Sequence, residues 1–67
     1  MFNEQDKKMC ELIFSDCNVI LSHETGVCDG INCDWYVVLV DNCVYHMTKH
    51  NGEWVYLFYA GEYKGGV

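Results

Sequence analysis

Cysteine and histidine are the residues of this 67-residue chain best suited to chemistry, with five cysteines and three histidines. Cys28 and Cys33 enclose four residues, among them Gly30 and Asn32, which permit a tight turn. Such a turn would bring two thiolates onto one ion, and zinc takes four Cys or His ligands in a tetrahedron. The cysteine count is odd and no export signal is apparent, so we expect reduced thiols in a cytosol.

The expected strand register extends this pair to four ligands. If Asp41-Asn42 and Asn51-Gly52 are two-residue turns, Cys33 lies directly opposite His50. Directly opposite residues have Cβ atoms about 4.5–5.5 Å apart, which suits shared ligation of a metal. His23 is expected to end the first strand at the same end of the sheet. The sequence therefore predicts a structural zinc site made of His23, Cys28, Cys33 and His50.

The remaining cysteines and the third histidine fit a metal site less well. Cys10, Cys17 and Cys43 are expected in the core, because free cysteine is among the most buried residue types. His46 is kept as a reserve ligand. Cys43, His46 and His50 have metal-like spacing, but in a strand Cys43 and His46 point to opposite faces. A metal-free domain with reduced thiols is the competing expectation.

Motifs of catalysis are missing from the sequence. It has neither a nucleotide-binding glycine motif nor a P-loop, and the proline-containing zinc-deaminase pattern cannot occur in a chain without proline. A domain of this size has little room for a substrate pocket. We therefore expect a binding protein rather than an enzyme, with a small metalloenzyme as the least favoured alternative.

Helix and strand signals divide the chain into one helix and a sheet. Asn3 can cap a helix over residues 3 to about 16, in which Met9, Leu12 and Ile13 recur at helical spacing. A short strand at 18–22, a loop at 23–32 and three strands up to about residue 60 follow, then a loose tail over 61–67. The predicted fold is a single α+β domain over 1–67. Its N-terminal helix packs on a three- to four-stranded antiparallel sheet, stabilised by zinc.

Alternation along the strands predicts two faces of different character. We expect the helix to cover the aliphatic face, which would hold Trp35, Val37, Leu39, Val44, His46, Val55, Leu57 and Tyr59. The aromatic face would then be exposed as a contact surface, with Tyr36, Tyr45, Trp54 and Tyr56 as its binding residues. Two alternatives stay open, since the helix could cover the aromatic face or a homodimer could hide it.

Charge restricts the class of partner. Ten acidic residues face four lysines and no arginine, for a net charge of -6. Direct binding to nucleic acid or to anionic membranes is therefore disfavoured, whereas a basic protein surface is a suitable partner. The simpler alternative is that this charge only keeps the domain soluble.

The short chain, its charge, the absence of arginine and the helix-plus-sheet layout resemble the anti-CRISPR proteins, small inhibitors that phages use against bacterial defence. The resemblance implies an inhibitor in the cytoplasm of a bacterial host that docks on a basic nucleic-acid-binding protein such as Cas9. The chain itself is expected to be a monomer or a homodimer. The resemblance also implies that carboxylates meet the partner's lysines and arginines, namely Glu24, Asp29, Asp34, Glu53 and Glu62. The alternative function is a zinc-ribbon-like accessory module that binds a host protein through the aromatic face.

Overall fold

The N-terminal helix begins where its cap predicts. The structure is a computed structural model that describes residues 3–64. Helix α1 spans Glu4–Asp16, and the Asn3 side chain accepts a hydrogen bond from the backbone N–H of Asp6 at 2.8 Å. Glu4 and Asp6 place negative charge in the first turn, where the helix dipole favours it. Local capping chemistry is therefore sufficient to define this end of the helix.

Four antiparallel strands follow in the order β1-β2-β3-β4 across one sheet. They are β1 (Val19–Cys28), β2 (Ile31–Val40), β3 (Cys43–His50) and β4 (Glu53–Glu62). The predicted α+β class, with one N-terminal helix and an antiparallel sheet, is confirmed. Within residues 3–64 no helix has the length and apolar character needed to cross a membrane.

Three two-residue turns connect the strands. Asp41-Asn42 and Asn51-Gly52 have positive φ at both positions, as predicted for hairpin turns. Asp29-Gly30 forms a third such turn, with φ of 53° and 78°. The predicted loop at 23–32 is therefore wrong, because β1 continues to Cys28 and pairs with β2 without interruption from Ser22 to Cys28. An Asp-Gly pair provides the backbone conformation that a tight hairpin requires.

The helix covers the aromatic face of the sheet. Cys10 and Ile13 of α1 are buried against Val38, Met47 and Trp54. Partly buried side chains surround this core, namely Phe14, Cys17, Tyr36, Val40, Tyr45 and Leu57. The prediction that the helix covers the aliphatic face is wrong. The physical reason lies in the packing of Phe14, whose ring centre is 5.1 Å from that of Tyr36 and 5.2 Å from that of Trp54. Aromatic side chains bury the largest areas, so the helix packs on the face that holds these rings.

Strand β4 contains two irregularities that change which residues face the helix. His50 pairs with Glu53 as predicted, but the register shifts between Lys49 and Thr48 and again between Tyr45 and Val44. After the first shift, Leu57 rather than Phe58 faces the helix. The strand also extends to Glu62, into the predicted tail, whose residues 65–67 lie outside the described part of the chain.

Candidate functional site

One face of the sheet is left without a covering helix. The strand register turns seven large side chains away from α1, and we call this set the open face: Trp35, Val37, Leu39, Val44, His46, Tyr56 and Phe58. Val37, His46 and Phe58 form one row across three strands, and Trp35, Thr48 and Tyr56 form the next. Antiparallel sheets often expose one face, but that face is ordinarily polar. The apolar composition of the open face therefore indicates a contact surface.

Aromatic rings occupy the centre of the open face. The rings of Trp35 and Tyr56 lie 6.4 Å apart, and Phe58 meets His46 edge-on at 6.1 Å. Tyr56 is 40% exposed and Phe58 51% exposed. Thr48 lies between Trp35 and Tyr56 in the same row and is completely buried. The centre of the face thus excludes water from the sheet while presenting two rings to a partner.

Carboxylates lie around the open face. Glu24 pairs with Trp35 on the neighbouring strand β1, and its side chain is exposed. Asp29 and Asp41 lie in exposed turns at opposite ends of the sheet. The open face therefore has an apolar centre and an acidic border.

The lysines lie elsewhere. Lys7 and Lys8 belong to α1, and Lys64 follows β4. Lys49 extends on the helix-covered side, with Nζ 4.7 Å from the ring centre of Trp54. Lys7 donates to Glu53 at 2.9 Å, and this bond raises the pKa of Lys7 and lowers that of Glu53. Among residues 3–64, no lysine forms a salt bridge with Glu24, Asp29 or Asp41.

The predicted zinc ligands do not converge. His23 lies in the middle of β1 rather than at its end, because that strand continues to Cys28. Its ring stacks on Tyr36 at 4.2 Å, on the helix-covered side of the sheet, and its Nε2 is 3.7 Å from Asp34. Cys28 and Cys33, by contrast, share the opposite side of the sheet.

Cys33 and His50 lie near each other, but Cys33 interacts with Cys28 whereas His50 contacts the backbone. Burial raises the pKa of the Cys33 thiol, and the neighbouring Cys28 raises it further. His50 Nδ1 lies 3.0 Å from the carbonyl oxygen of Asn32. Across the described residues, no three His, Cys, Asp or Glu side chains are close enough together to hold a metal ion. The four predicted ligands therefore do not fit a tetrahedral zinc site.

A cavity of about 350 Å³ opens beside these residues. Its lining includes Cys33, His50, Asp34 and Lys49. A raised pKa keeps the Cys33 thiol protonated at neutral pH and therefore weakly nucleophilic.

The five carboxylates predicted to meet a partner are dispersed. Glu24 and Asp29 border the open face, whereas Asp34 lies on the helix-covered side near His23. Glu53 is engaged by Lys7, and Glu62 lies at the end of β4 opposite Cys43. The structure therefore does not bring them into one acidic patch.

The predicted aromatic contact residues are divided between the two faces. Tyr36, Tyr45 and Trp54 pack under the helix, and only Tyr56 belongs to the open face. Sequence reasoning missed Trp35 and Phe58 as contact residues. Alternation did place Trp35 with Val37 and Leu39, but the wrong face was assigned to the helix. The position of Phe58 on the open face results from an irregularity in β4 that carries no local sequence signal.

No protein-family model matches this chain, and no curated protein or solved structure matches it either. Function is therefore inferred from the residues of the chain and their geometry.

Proposed function

We propose that this chain is a small acidic binding protein that inhibits a nucleic-acid-binding effector, such as Cas9, by stoichiometric docking on its basic surface. The open face is the contact surface. One observation supports this proposal above all: an uncovered apolar sheet face is bordered by exposed carboxylates, while the lysines lie on the helix, on the helix-covered side or after β4.

The open face has the composition of a protein-binding surface. Interfaces combine an apolar core with a polar border, and aromatic residues are enriched at their centres. Tyr56 and Phe58 supply exposed rings at the centre, while Glu24 supplies charge at the border. A partner with an apolar patch surrounded by lysine and arginine would complement both features.

The charge of the chain favours a basic partner over an acidic one. With ten acidic residues and four lysines, the chain carries a net charge of -6. Proteins that bind nucleic acid present lysine and arginine to phosphate, so an acidic domain can occupy the same surface. Attraction between the two potentials would accelerate encounter and weaken as salt screens it.

The alternative of an accessory module that binds through the aromatic face finds no support in the structure. Three of its four aromatic residues, Tyr36, Tyr45 and Trp54, contact the helix-side core. Its zinc site would also require His23 on the side of the sheet where Cys28 and Cys33 lie.

A DNA-cleavage assay with a Cas9–guide RNA complex tests the proposal. We expect inhibition that is complete near a one-to-one molar ratio and weaker as salt is raised. The variant Phe58→Ser should reduce affinity at least about tenfold, because it removes an aromatic anchor. The triple variant Glu24→Gln, Asp29→Asn, Asp41→Asn should reduce the association rate and its salt dependence.

The matched control neutralises three exposed carboxylates on the helix, with the triple variant Glu4→Gln, Glu11→Gln, Asp16→Asn. It changes the net charge but leaves the border of the open face intact, so we expect a smaller loss of inhibition. An equal loss of inhibition in the border and helix variants would show that net charge alone determines binding. Absence of inhibition at a tenfold molar excess would refute Cas9 as the effector.

A further inference from the structure

The two edges of the sheet differ in how well they are protected. Natural proteins guard exposed strand edges with bulges, lysines and prolines. Strand β4 has two register shifts along its length. Strand β1 has one shift near Leu21, but its ladder from Ser22 to Cys28 is unbroken, and the strand contains neither lysine nor proline. The outer edge of β1 is therefore open to pairing with another strand.

The tight turn at Asp29-Gly30 determines which backbone groups of β1 are free. In a two-residue hairpin the residues flanking the turn, here Cys28 and Ile31, exchange both backbone hydrogen bonds. Along an antiparallel ladder such pairs alternate with pairs whose N–H and C=O groups point outward. This alternation turns the backbone groups of His23, Thr25 and Val27 away from β2.

We propose that β1 pairs with β1 of a second copy of this chain, antiparallel and about a two-fold axis at Thr25. In this register Thr25 lies opposite Thr25 of the second copy, and His23 lies opposite Val27 in both directions. In each of these pairs, the hydrogen bonds are made by the backbone N–H and C=O groups that point away from β2 on both strands. The paired segment stays within the unbroken part of the ladder and clear of the shift near Leu21.

The side chains suit self-pairing in this register. Threonine pairs across strands are favourable, and Val27, which is 64% exposed, gains a neighbour in His23. Glu24 lies opposite Gly26 of the second copy, so the two Glu24 carboxylates do not face each other directly. A Cβ atom built on Gly26 would lie 3.0 Å from Trp35 Nε1. The indole N–H is thus at the edge, where it can donate to Glu24 of the second copy.

Pairing of this kind would create one continuous sheet from two four-stranded sheets. The two-fold axis stands perpendicular to the sheet, so both helices lie on one side and both open faces lie on the other. A dimer would therefore present two contact surfaces in one plane. This pairing does not depend on the proposed inhibition, because it involves the protein alone.

Sedimentation velocity on the purified full chain, over a wide range of concentrations, tests the dimer. We expect wild type to dimerise and Thr25→Pro to raise the dimer Kd at least about tenfold. Proline removes an N–H that points away from β2, so the β1–β2 ladder is retained. Thr25→Val is the matched control, since it keeps the N–H and a β-branched side chain and should dimerise like wild type.

A second measurement applies even if Thr25→Pro does not fold. Amide hydrogen exchange of wild type should show protection of His23, Thr25 and Val27 that increases with protein concentration. Exchange of these amides that does not change with concentration would overturn the proposal, as would a dimer lost in Phe58→Ser but kept in Thr25→Pro. The latter result would show that dimers form through the open face. A wild-type chain that stays monomeric at all concentrations but inhibits the effector would overturn the pairing and leave the proposed function intact.

Discussion

Thr48 lies directly opposite Tyr56, although a regular ladder from the Asn51-Gly52 turn would place Val55 there. Lys49 still pairs with Trp54, so Val55 is the extra residue of a β-bulge. A shift of one residue moves every following side chain to the other face of the sheet. Leu57 thereby joins the core, and Tyr56 and Phe58 join the open face.

The bulge places two neighbouring residues on opposite faces of the sheet, so truncating them should cost different amounts of stability. We expect Leu57→Ala to lower the free energy of unfolding by about 2 kcal/mol, because Leu57 packs against the core. Phe58→Ala should cost less than about 1 kcal/mol, because Phe58 is 51% exposed. Urea unfolding followed by tryptophan fluorescence measures both. The reverse order of costs would mean that β4 pairs without the bulge.

The buried hydroxyl of Thr48 leads us to predict that one substitution will stabilise the protein. Its side chain is completely buried, and Oγ1 has no hydrogen-bond partner among residues 3–64. Thr48→Val replaces that hydroxyl with a methyl group of similar size, so we expect a gain of about 1 kcal/mol in thermal unfolding experiments. Thr48→Ser is the control, since it keeps the hydroxyl, loses the methyl group and should destabilise. A loss of stability in Thr48→Val would indicate that Oγ1 has a partner.

Cys10 predicts that stability declines in alkaline solution. Burial, and then the nearby charge of Asp6, raises the pKa of the Cys10 thiol from 9.0 to about 11. Its folded-state pKa lies above the unfolded value, so the stabilisation is complete below pH 9 and is lost as pH rises from 9 towards 11. The slope attributable to this thiol should approach about 1.4 kcal/mol per pH unit within that window.

Denaturant unfolding at several pH values, with Cys10→Ala beside wild type, isolates the contribution of Cys10. The variant is expected to be less stable at pH 7 and to lose less stability between pH 9 and pH 11. Cys17→Ala is the matched control, because it removes a partly buried thiol and leaves Cys10 in place. Parallel curves for Cys10→Ala and wild type would contradict a perturbed thiol in the core.

Metal removal should leave the fold intact. His23 is on the other side of the sheet from Cys28 and Cys33, so a tetrahedral site for zinc is not assembled. We expect the melting temperature to be unchanged after treatment with EDTA under reducing conditions. Cys28→Ser should likewise cost less than about 1 kcal/mol. Stoichiometric zinc in the purified protein, with unfolding on chelation, would show that the ligands rearrange to bind it.

Much of the architecture was accessible from short-range signals. Asn3 as a helix cap and the Asn51-Gly52 and Asp41-Asn42 turns were identified correctly, because each depends on the backbone chemistry of a few adjacent residues. The Asp29-Gly30 turn carries the same kind of signal, and overlooking it led to the predicted loop and to the misplaced His23.

The sequence by itself thus determined the helix, the Asp41-Asn42 and Asn51-Gly52 turns and the antiparallel character of the sheet, since capping, turn chemistry and alternation act locally. Only the tertiary structure decided which face α1 covers and which residues form the contact surface. Both sheet faces are apolar enough to form a core, so the choice depends on how Phe14 packs with Tyr36 and Trp54. The bulge at Val55 likewise depends on pairing between whole strands, which no single segment encodes.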